Sequence, residues 1–340
     1  MKIAIATIQS INYGNRLQNY AMQEVLKPYG HIASLRREKV PTIKLALRNA
    51  RKYIKHDAIN NFREFDGRHV SLSREALSPN CETAALAAAY DKFVIGSDQV
   101  WNPNFPFNSC LDYLPMVPPE KKLAYAASFG VSDLGDKADE IADYLADIPY
   151  ISMREDAGAE LVKKLTGHDV PVVLDPTMLL TPDDWAQVEK KPKGMPEGPF
   201  VFKYVLGSDV NEERIQTIAD ELDAVVVDAA DGSMLIGPSE FVWLAANCEA
   251  VCTDSFHASV FALLHHKQLG IFERVDAEAD MSSRFDTLCR LFGAEKCRAR
   301  NEDFDMGCMA WEDFEMRLAN MRAFSLDWLD GAINMGAARD

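Results

Sequence analysis

The residues that follow the apolar run 250–252 could support acid–base chemistry beside a bound anion. Asp254 and Ser255 are both suitable helix N-caps, and the apolar positions from 256 to 264 follow helical spacing. His257 would then lie in the first helical turn, where free backbone N–H groups and the helix dipole favour an anion. An imidazole in that position suits an enzyme that releases phosphate. A lone histidine in a helix is more often structural, so this segment alone leaves both interpretations open.

A second set of residues has the chemistry to contact a sugar acceptor. They follow predicted strands, one after the first strand and the others after the strand at 93–95: Asn15, Gly96, Ser97, Asp98 and Trp101. The carboxyl ends of parallel strands are where ligands bind, so we expect this set to converge with His257. Asp98 could contact or deprotonate a hydroxyl group, and Trp101 could stack on a sugar ring. A simple turn at 96–98 is the alternative interpretation.

Arg154 follows another predicted strand and could bind an anionic donor. An ion pair with Glu155 or Asp156 is the structural alternative. Asp175, which precedes a proline, is predicted to be part of a turn at a strand end.

Short apolar runs alternate with amphipathic helical stretches on both sides of residues 190–199, a segment with three prolines and two glycines. This alternation predicts an α/β fold with two Rossmann-like domains and a cleft between them. The N-terminal domain would span 1–190 and the C-terminal domain 199–310. Residues 311–335 are predicted to form an amphipathic helix that packs back on the N-terminal domain.

The formal net charge of -16 argues against a nucleic-acid partner, because a polyanion would be repelled. The seven cysteines show no paired metal-ligand spacing, which indicates a reduced, cytoplasmic protein without a metal site. No apolar stretch has the length of a membrane span. The basic segment 36–55 stands out from this acidic background, and it could touch an anionic membrane or acceptor; a solvated helix face is the alternative.

Six segments resemble the motifs of the polysaccharide pyruvyl transferase family in order and spacing. They are Tyr13–Gln18, Val94–Asn102, Ala126–Gly130, Ser152–Glu155, Leu174–Thr177 and Thr253–His257. The resemblance runs from Ile3 to Phe292. It implies a GT-B-like arrangement, with the acceptor on the N-terminal domain and the donor on the C-terminal domain. It also implies transfer of pyruvate from phosphoenolpyruvate to a sugar of a cell-surface glycan or its precursor as a ketal, with no cofactor.

The resemblance implies that His257 is catalytic and that Arg154 contacts the donor, together with Asp254 and Ser255. Members of this family with assigned residues carry an arginine two positions before the histidine, where this chain has Ser255. We therefore expect another cation, Arg284 or Lys203, to replace it. A glycosyltransferase that uses a nucleotide sugar, and a non-catalytic glycan-binding protein, are the alternative functions. The acceptor could be lipid-linked, at the inner face of the membrane.

Overall fold

The computed structural model describes residues 1–37, 58–78, 83–106, 108–207, 212–274 and 282–334. Within them the chain forms two parallel β-sheets, one of six strands and one of four. The first sheet is built from β1 Lys2–Ala6, β2 His31–Arg37, β3 Leu72–Leu77, β4 Lys92–Ile95, β5 Lys122–Ala127 and β6 Ile151–Met153. The second is built from β7 Phe200–Tyr204, β8 Val225–Asp228, β9 Ala250–Thr253 and β10 Gln268–Ile271.

Helices cover both sheets. They are α1 Tyr13–Leu26, α2 Ala58–His69, α3 Thr83–Ala89, α4 Ala138–Ala146, α5 Asp156–Thr166, α6 Pro182–Ala186, α7 Glu212–Glu221, α8 Pro238–Asn247, α9 Phe256–Leu264, α10 Ser283–Phe292 and α11 Trp311–Asn334. Every residue of β5 and of β9 is buried, as expected for parallel strands covered on both faces. The predicted α/β class with two Rossmann-like domains is confirmed.

The strand order places the candidate residues at the switch point of each sheet. The first sheet has the order β3-β2-β1-β4-β5-β6, so its direction of winding reverses between β1 and β4. The second has the order β10-β9-β7-β8, and its winding reverses between β7 and β9. Crevices at the carboxyl ends of such strands are the usual ligand sites of open α/β sheets. Asn15 and Asp98 follow β1 and β4, whereas His257 follows β9.

A single apolar core joins the two sheets, because it contains residues of both. The Tyr13 ring, in the first turn of α1, stacks on Phe241 of α8 with ring centroids 4.7 Å apart. Helix α1 also packs against α9. The start of α1 and the start of α9 therefore face each other across the contact between the two sheets.

The long helix α11 packs on the first sheet although it follows the second in sequence. Its Ser325 hydroxyl accepts a hydrogen bond from the backbone N–H of Leu174 at 3.0 Å, and Trp328 contacts Tyr125 of β5. Arg322 donates to the carbonyls of Met178 and Leu180. These contacts hold the segment around Asp175 in place. None of the helices in the described part of the chain combines the length and the apolar character needed to cross a bilayer.

Candidate functional site

His257 lies in the first turn of α9 and is packed directly on the first turn of α1. Only glycine fits opposite it, because a Cβ at Gly14 would lie 2.1 Å from His257 Nδ1. Gly14 has an ordinary backbone conformation, so its smallness serves this close approach and not a turn. His257 is 6 % exposed. Its imidazole thus lies at the contact between α1, which follows the first strand of the first sheet, and α9, which follows β9 of the second sheet.

Asp175 is the carboxylate that faces His257. It follows residues 172–174 as the N-cap of a 3₁₀ turn, and its Oδ1 accepts from the backbone N–H and the hydroxyl of Thr177 at 3.0 and 2.7 Å. Its Oδ2 accepts from Ser97 at 2.9 Å and from Arg154 at 3.0 Å. His257 Nε2 lies 3.6 Å from the same Oδ2, which is too long for a hydrogen bond but close enough for charge interaction.

The environment keeps Asp175 ionised. Burial alone would raise its pKa, but His257, Arg154 and the backbone N–H of Thr177 favour the carboxylate more strongly. The pKa of Asp175 is therefore lowered from its usual 3.8. A negative group at this distance would orient the imidazole of His257.

Arg154 stands at the centre of a buried cluster of charges. Its guanidinium bonds Asp175 and lies 3.6 Å from Asp98 and 3.7 Å from Glu155. It also lies over the Phe256 ring, 4.4 Å from the centroid. Burial would lower the pKa of Arg154, but the three carboxylates outweigh burial and raise it. The ion pair with Glu155 is thus present, and binding of an anionic donor by Arg154 stays a prediction.

Asp98 combines a strained backbone with contacts to both neighbouring elements. Its φ of 71° lies in the left-handed region, which is unfavourable for a non-glycine residue and common at functional sites. Its Oδ2 accepts a hydrogen bond from the Asn15 side chain, and its Oδ1 accepts from the backbone N–H of Gln99. Asn15, Ser97 and Asp98 are thereby brought together as predicted. Gly96 allows the turn to approach Thr7, since a Cβ there would lie 2.9 Å from the Thr7 Cβ.

Trp101 does not present a face to a ligand. Its indole has no exposed surface, stacks on Tyr113 and donates to the Asp112 carbonyl. The predicted sugar-stacking role is corrected: in this structure Trp101 is a core residue beneath the turn.

Lys203 is also placed elsewhere. Its neighbours in β7, Phe202 and Tyr204, pack in the core shared with the first sheet. Side chains alternate along a strand, so Lys203 points to the opposite face, where it pairs with Glu212 and Asp228. It is not the cation that replaces the missing arginine.

Arg284, in α10, does lie in the electrostatic range of the cluster. Burial and then the positive charge of Arg154 lower the pKa of Arg284, which Glu155 and Asp98 oppose, and the net result is a pKa of about 10. It remains a cation at neutral pH. Arg284 is thus close enough to Arg154 to interact with it electrostatically, and its replacement of the missing arginine stays a prediction.

Several buried polar atoms of this cluster have no hydrogen-bond partner within the described residues. They are His257 Nε2, Arg154 Nε and Nη2, Arg284 Nε and both carboxylate oxygens of Glu155. Buried polar groups are normally satisfied, and unpaired ones point to strain or to a ligand. A concentration of donors without hydrogen bonds, on three cationic or titratable side chains, suits an anion with several oxygens. No metal-binding group of His, Cys, Asp or Glu occurs among the described residues.

Three residues of the site were not predicted as functional. Asp175 was read as a turn, Glu155 as an ion-pair partner of Arg154, and Arg274, which pairs with Asp254 at 2.9 Å, was not considered. Glu155 and Arg274 share one signal, a charged residue two or three positions after a strand end, whereas Asp175 follows only an isolated bridge at Val172.

A family model described as polysaccharide pyruvyl transferase matches residues 12–273. The chain belongs to the polysaccharide pyruvyl transferase family. The match contains Gly14, Asp98, Arg154, Asp175 and His257, and it ends just before Arg274. A comparison with curated protein sequences finds no match.

Solved structures show only distant similarity to this family member. An α-glucosyltransferase in complex with UDP and DNA is 11 % identical, with a TM-score of 0.48 and coverage of 98 % of this chain and 99 % of that one. Anabaena HepE in complex with UDP and glucose is 11 % identical, with a TM-score of 0.45 and coverage of 97 and 100 %. A functionally uncharacterised Klebsiella pneumoniae protein is 10 % identical, with a TM-score of 0.45 and coverage of 84 and 87 %. Similarities this weak carry no information on substrate.

Proposed function

We propose that this transferase moves pyruvate from phosphoenolpyruvate to a sugar of a cell-surface glycan or its precursor as a ketal and releases phosphate. The observation that carries the proposal is the cluster of buried donors on Arg154, Arg284 and His257 that lack a hydrogen bond within the described residues. Phosphoenolpyruvate has a carboxylate and a phosphate, so it needs cationic donors at two points. Membership in the family supports the same donor.

The reaction balances with the groups present and needs no cofactor. Protonation of the methylene carbon makes C2 electrophilic, one sugar hydroxyl adds to C2, and the C2–O bond to phosphate breaks. A second hydroxyl adds to C2 and completes the ketal. The two hydroxyl protons end on the new methyl group and on phosphate.

His257 is the proposed general acid, because it is the titratable group next to the anion site. Asp175 stays ionised and stabilises the imidazolium without taking its proton. Positioned acid–base groups of this kind contribute roughly 10²–10⁴-fold to a rate.

Asp98 is the proposed contact for the acceptor hydroxyls. It lies at the switch point of the first sheet, with Asn15 and Ser97 beside it, while His257 and Arg284 come from the second half of the chain. The acceptor and donor would therefore meet between the two sheets. Because the Arg154 and His257 side chains are 1 % and 8 % exposed, we propose that α1 and α9 separate to admit the substrates.

The acceptor is proposed to be an anionic or lipid-linked glycan met at the cytoplasmic face of a membrane. The basic segment 36–55 supports this, although residues 38–55 lie outside the described part of the chain. Of the described ones, Arg36 bonds Ser73 and Arg37 pairs with Asp112. These two arginines are already engaged, so the proposal depends on the residues beyond them.

Ligand-dependent unfolding tests the donor. The midpoint temperature of the wild-type chain is measured with phosphoenolpyruvate, with UDP-sugars and with pyruvate alone. A ligand at 100 times its Kd adds about 2.7 kcal/mol of stability, which gives a clear shift. We expect a shift with phosphoenolpyruvate and none with UDP-sugars. Stabilisation by UDP-sugars alone would favour the glycosyltransferase alternative and contradict the proposal.

A further inference from the structure

Arg274 lies at the carboxyl edge of the second sheet, beside the first turn of α9. It follows β10 by three residues, and its Nε donates to the Asp254 carboxylate at 2.9 Å. Asp254 directly precedes Ser255, which is the N-cap of α9. The Arg274 guanidinium is therefore anchored one residue before the N-cap of the helix that carries His257.

The surroundings of Arg274 form a fixed support. The two oxygens of Asp254 also accept from the backbone N–H groups of Leu206 and Gly207, at 2.9 and 2.8 Å. A Cβ at Gly207 would lie 3.0 Å from Arg274 Cγ, so the glycine leaves room for the arginine side chain. Both oxygens of Asp254 thus accept hydrogen bonds from the loop after β7 and from Arg274. Asp254 is therefore a positioning residue.

The end of α9 beside Arg274 has free donors. The Ser255 side chain makes no cap, so it does not use the first N–H groups of this nine-residue helix, which favour an anion. Arg284 Nε is buried without a hydrogen-bond partner in the described residues, and so is His257 Nε2, which lies 3.6 Å from Asp175. The charge of Arg274 acts on Arg284, because it contributes, after burial and Arg154, to the lowered pKa of Arg284. For Arg274, only the bond from Nε is found within the described residues.

We propose that Arg274 binds the phosphate of the donor at the N-terminus of α9, replacing the arginine that family members carry at the position of Ser255. The guanidinium reaches the same helix end from β10 instead of from the helix itself. Arg154 and Arg284 remain for the donor carboxylate. This inference rests on the proposed function, since it assigns the two anionic groups of phosphoenolpyruvate to different arginines.

The test uses Arg274→Gln and Arg274→Lys in the full chain, with Arg300→Gln as the matched control. Arg300 pairs with Glu273 and Asp286 and is 46 % exposed, so its loss removes the same charge nearby without touching α9. Calorimetric titration measures the Kd of inorganic phosphate and, separately, of pyruvate. Unfolding midpoints show that each variant is folded.

We expect Arg274→Gln to weaken phosphate binding roughly tenfold or more, with the pyruvate Kd unchanged within a factor of about two. Arg274→Lys should recover part of the affinity, because it keeps the charge but loses the planar fork. Arg300→Gln should match the wild type.

Unchanged phosphate affinity in Arg274→Gln, equal weakening of both ligands, or absence of phosphate binding by the wild type would each overturn the assignment. Failure of the proposed function has a different signature. The wild type would then bind phosphate in an Arg274-dependent manner but leave phosphoenolpyruvate unconverted with every acceptor.

Discussion

At the scale of single residues, His257 is the side chain whose loss should separate catalysis from folding. His257→Gln removes the proton donor but keeps the volume, so we expect turnover to fall by about 10²-fold or more. The matched control is His265→Gln at the other end of α9. Steady-state rates and unfolding midpoints of both variants distinguish a catalytic role of His257 from a structural one. Full activity in His257→Gln, or equal losses in both variants, would return His257 to a structural role.

Asp175 should link the stability of the site to pH. Its pKa is lowered by folding, so its stabilising contribution is complete above the unfolded value of 3.8 and is lost as the pH falls below it. Asp175→Asn breaks a buried ion pair and should cost about 3 kcal/mol at neutral pH.

Unfolding midpoints of wild type and Asp175→Asn, measured from pH 7 to pH 3, check this sign. The difference in unfolding midpoint between wild type and Asp175→Asn should be constant above about pH 5 and should become smaller below about pH 4. A difference that becomes larger in acid would mean that Asp175 is neutral in the folded protein.

At the scale of elements, the contact between the first turns of α1 and α9 depends on Gly14. Gly14→Ala places a methyl group against the His257 ring and should cost about 1–3 kcal/mol despite alanine's better helix propensity. Gly67→Ala in α2 is the control, because a Cβ there meets nothing within 4 Å. This control should be neutral or about 0.4–1 kcal/mol more stable.

The same contact can be isolated with a double-mutant cycle. In the His257→Ala background the ring is gone, so Gly14→Ala should no longer destabilise the protein. Chemical unfolding of the four proteins gives the coupling energy. An equal cost in both backgrounds would show that the two helices do not meet through His257.

Local sequence signals predicted β9, the turn and α9, because an apolar run, an N-cap and helical spacing are adjacent in the chain. Strands β2 and β3 were not predicted. Their sequences, HIASLRR and LSREAL, contain charges, and β3 is the edge strand of its sheet. The charged end of β2 was instead assigned to the basic segment 36–55.

The functional role of Asp175 could not be predicted from its neighbours, which indicate only a turn. It depends on Ser97, Arg154 and His257, all distant in the chain and brought together by the order of the strands. The prediction that Trp101 stacks on a sugar was wrong for a related reason. Its burial against Tyr113 depends on how the core folds, which the neighbouring sequence does not show. The position of Lys203 could have been predicted, since Phe202 and Tyr204 on either side already indicate the core-facing positions.

At the scale of the whole molecule, a net charge of -16 contrasts with the basic segment 36–55. Basic residues near an anionic bilayer contribute about 1 kcal/mol each. Reversing Arg48, Arg51 and Lys52 to Glu should therefore reduce sedimentation with phosphatidylglycerol vesicles at low salt and leave the Kd of phosphoenolpyruvate unchanged. Absence of vesicle binding by the wild type would favour a soluble sugar as acceptor.

Phosphorus NMR of the wild-type protein with phosphoenolpyruvate shows whether pyruvate is transferred and phosphate released. Spectra are recorded with a panel of methyl glycosides and polyprenyl-phosphate-linked disaccharides as acceptors. The same spectra of the His257→Gln variant are the control. We expect acceptor-dependent release of inorganic phosphate, with one pyruvate ketal formed per phosphate and none in the variant. Phosphoenolpyruvate that stays intact with every acceptor, while UDP is released from a UDP-sugar, would contradict this expectation.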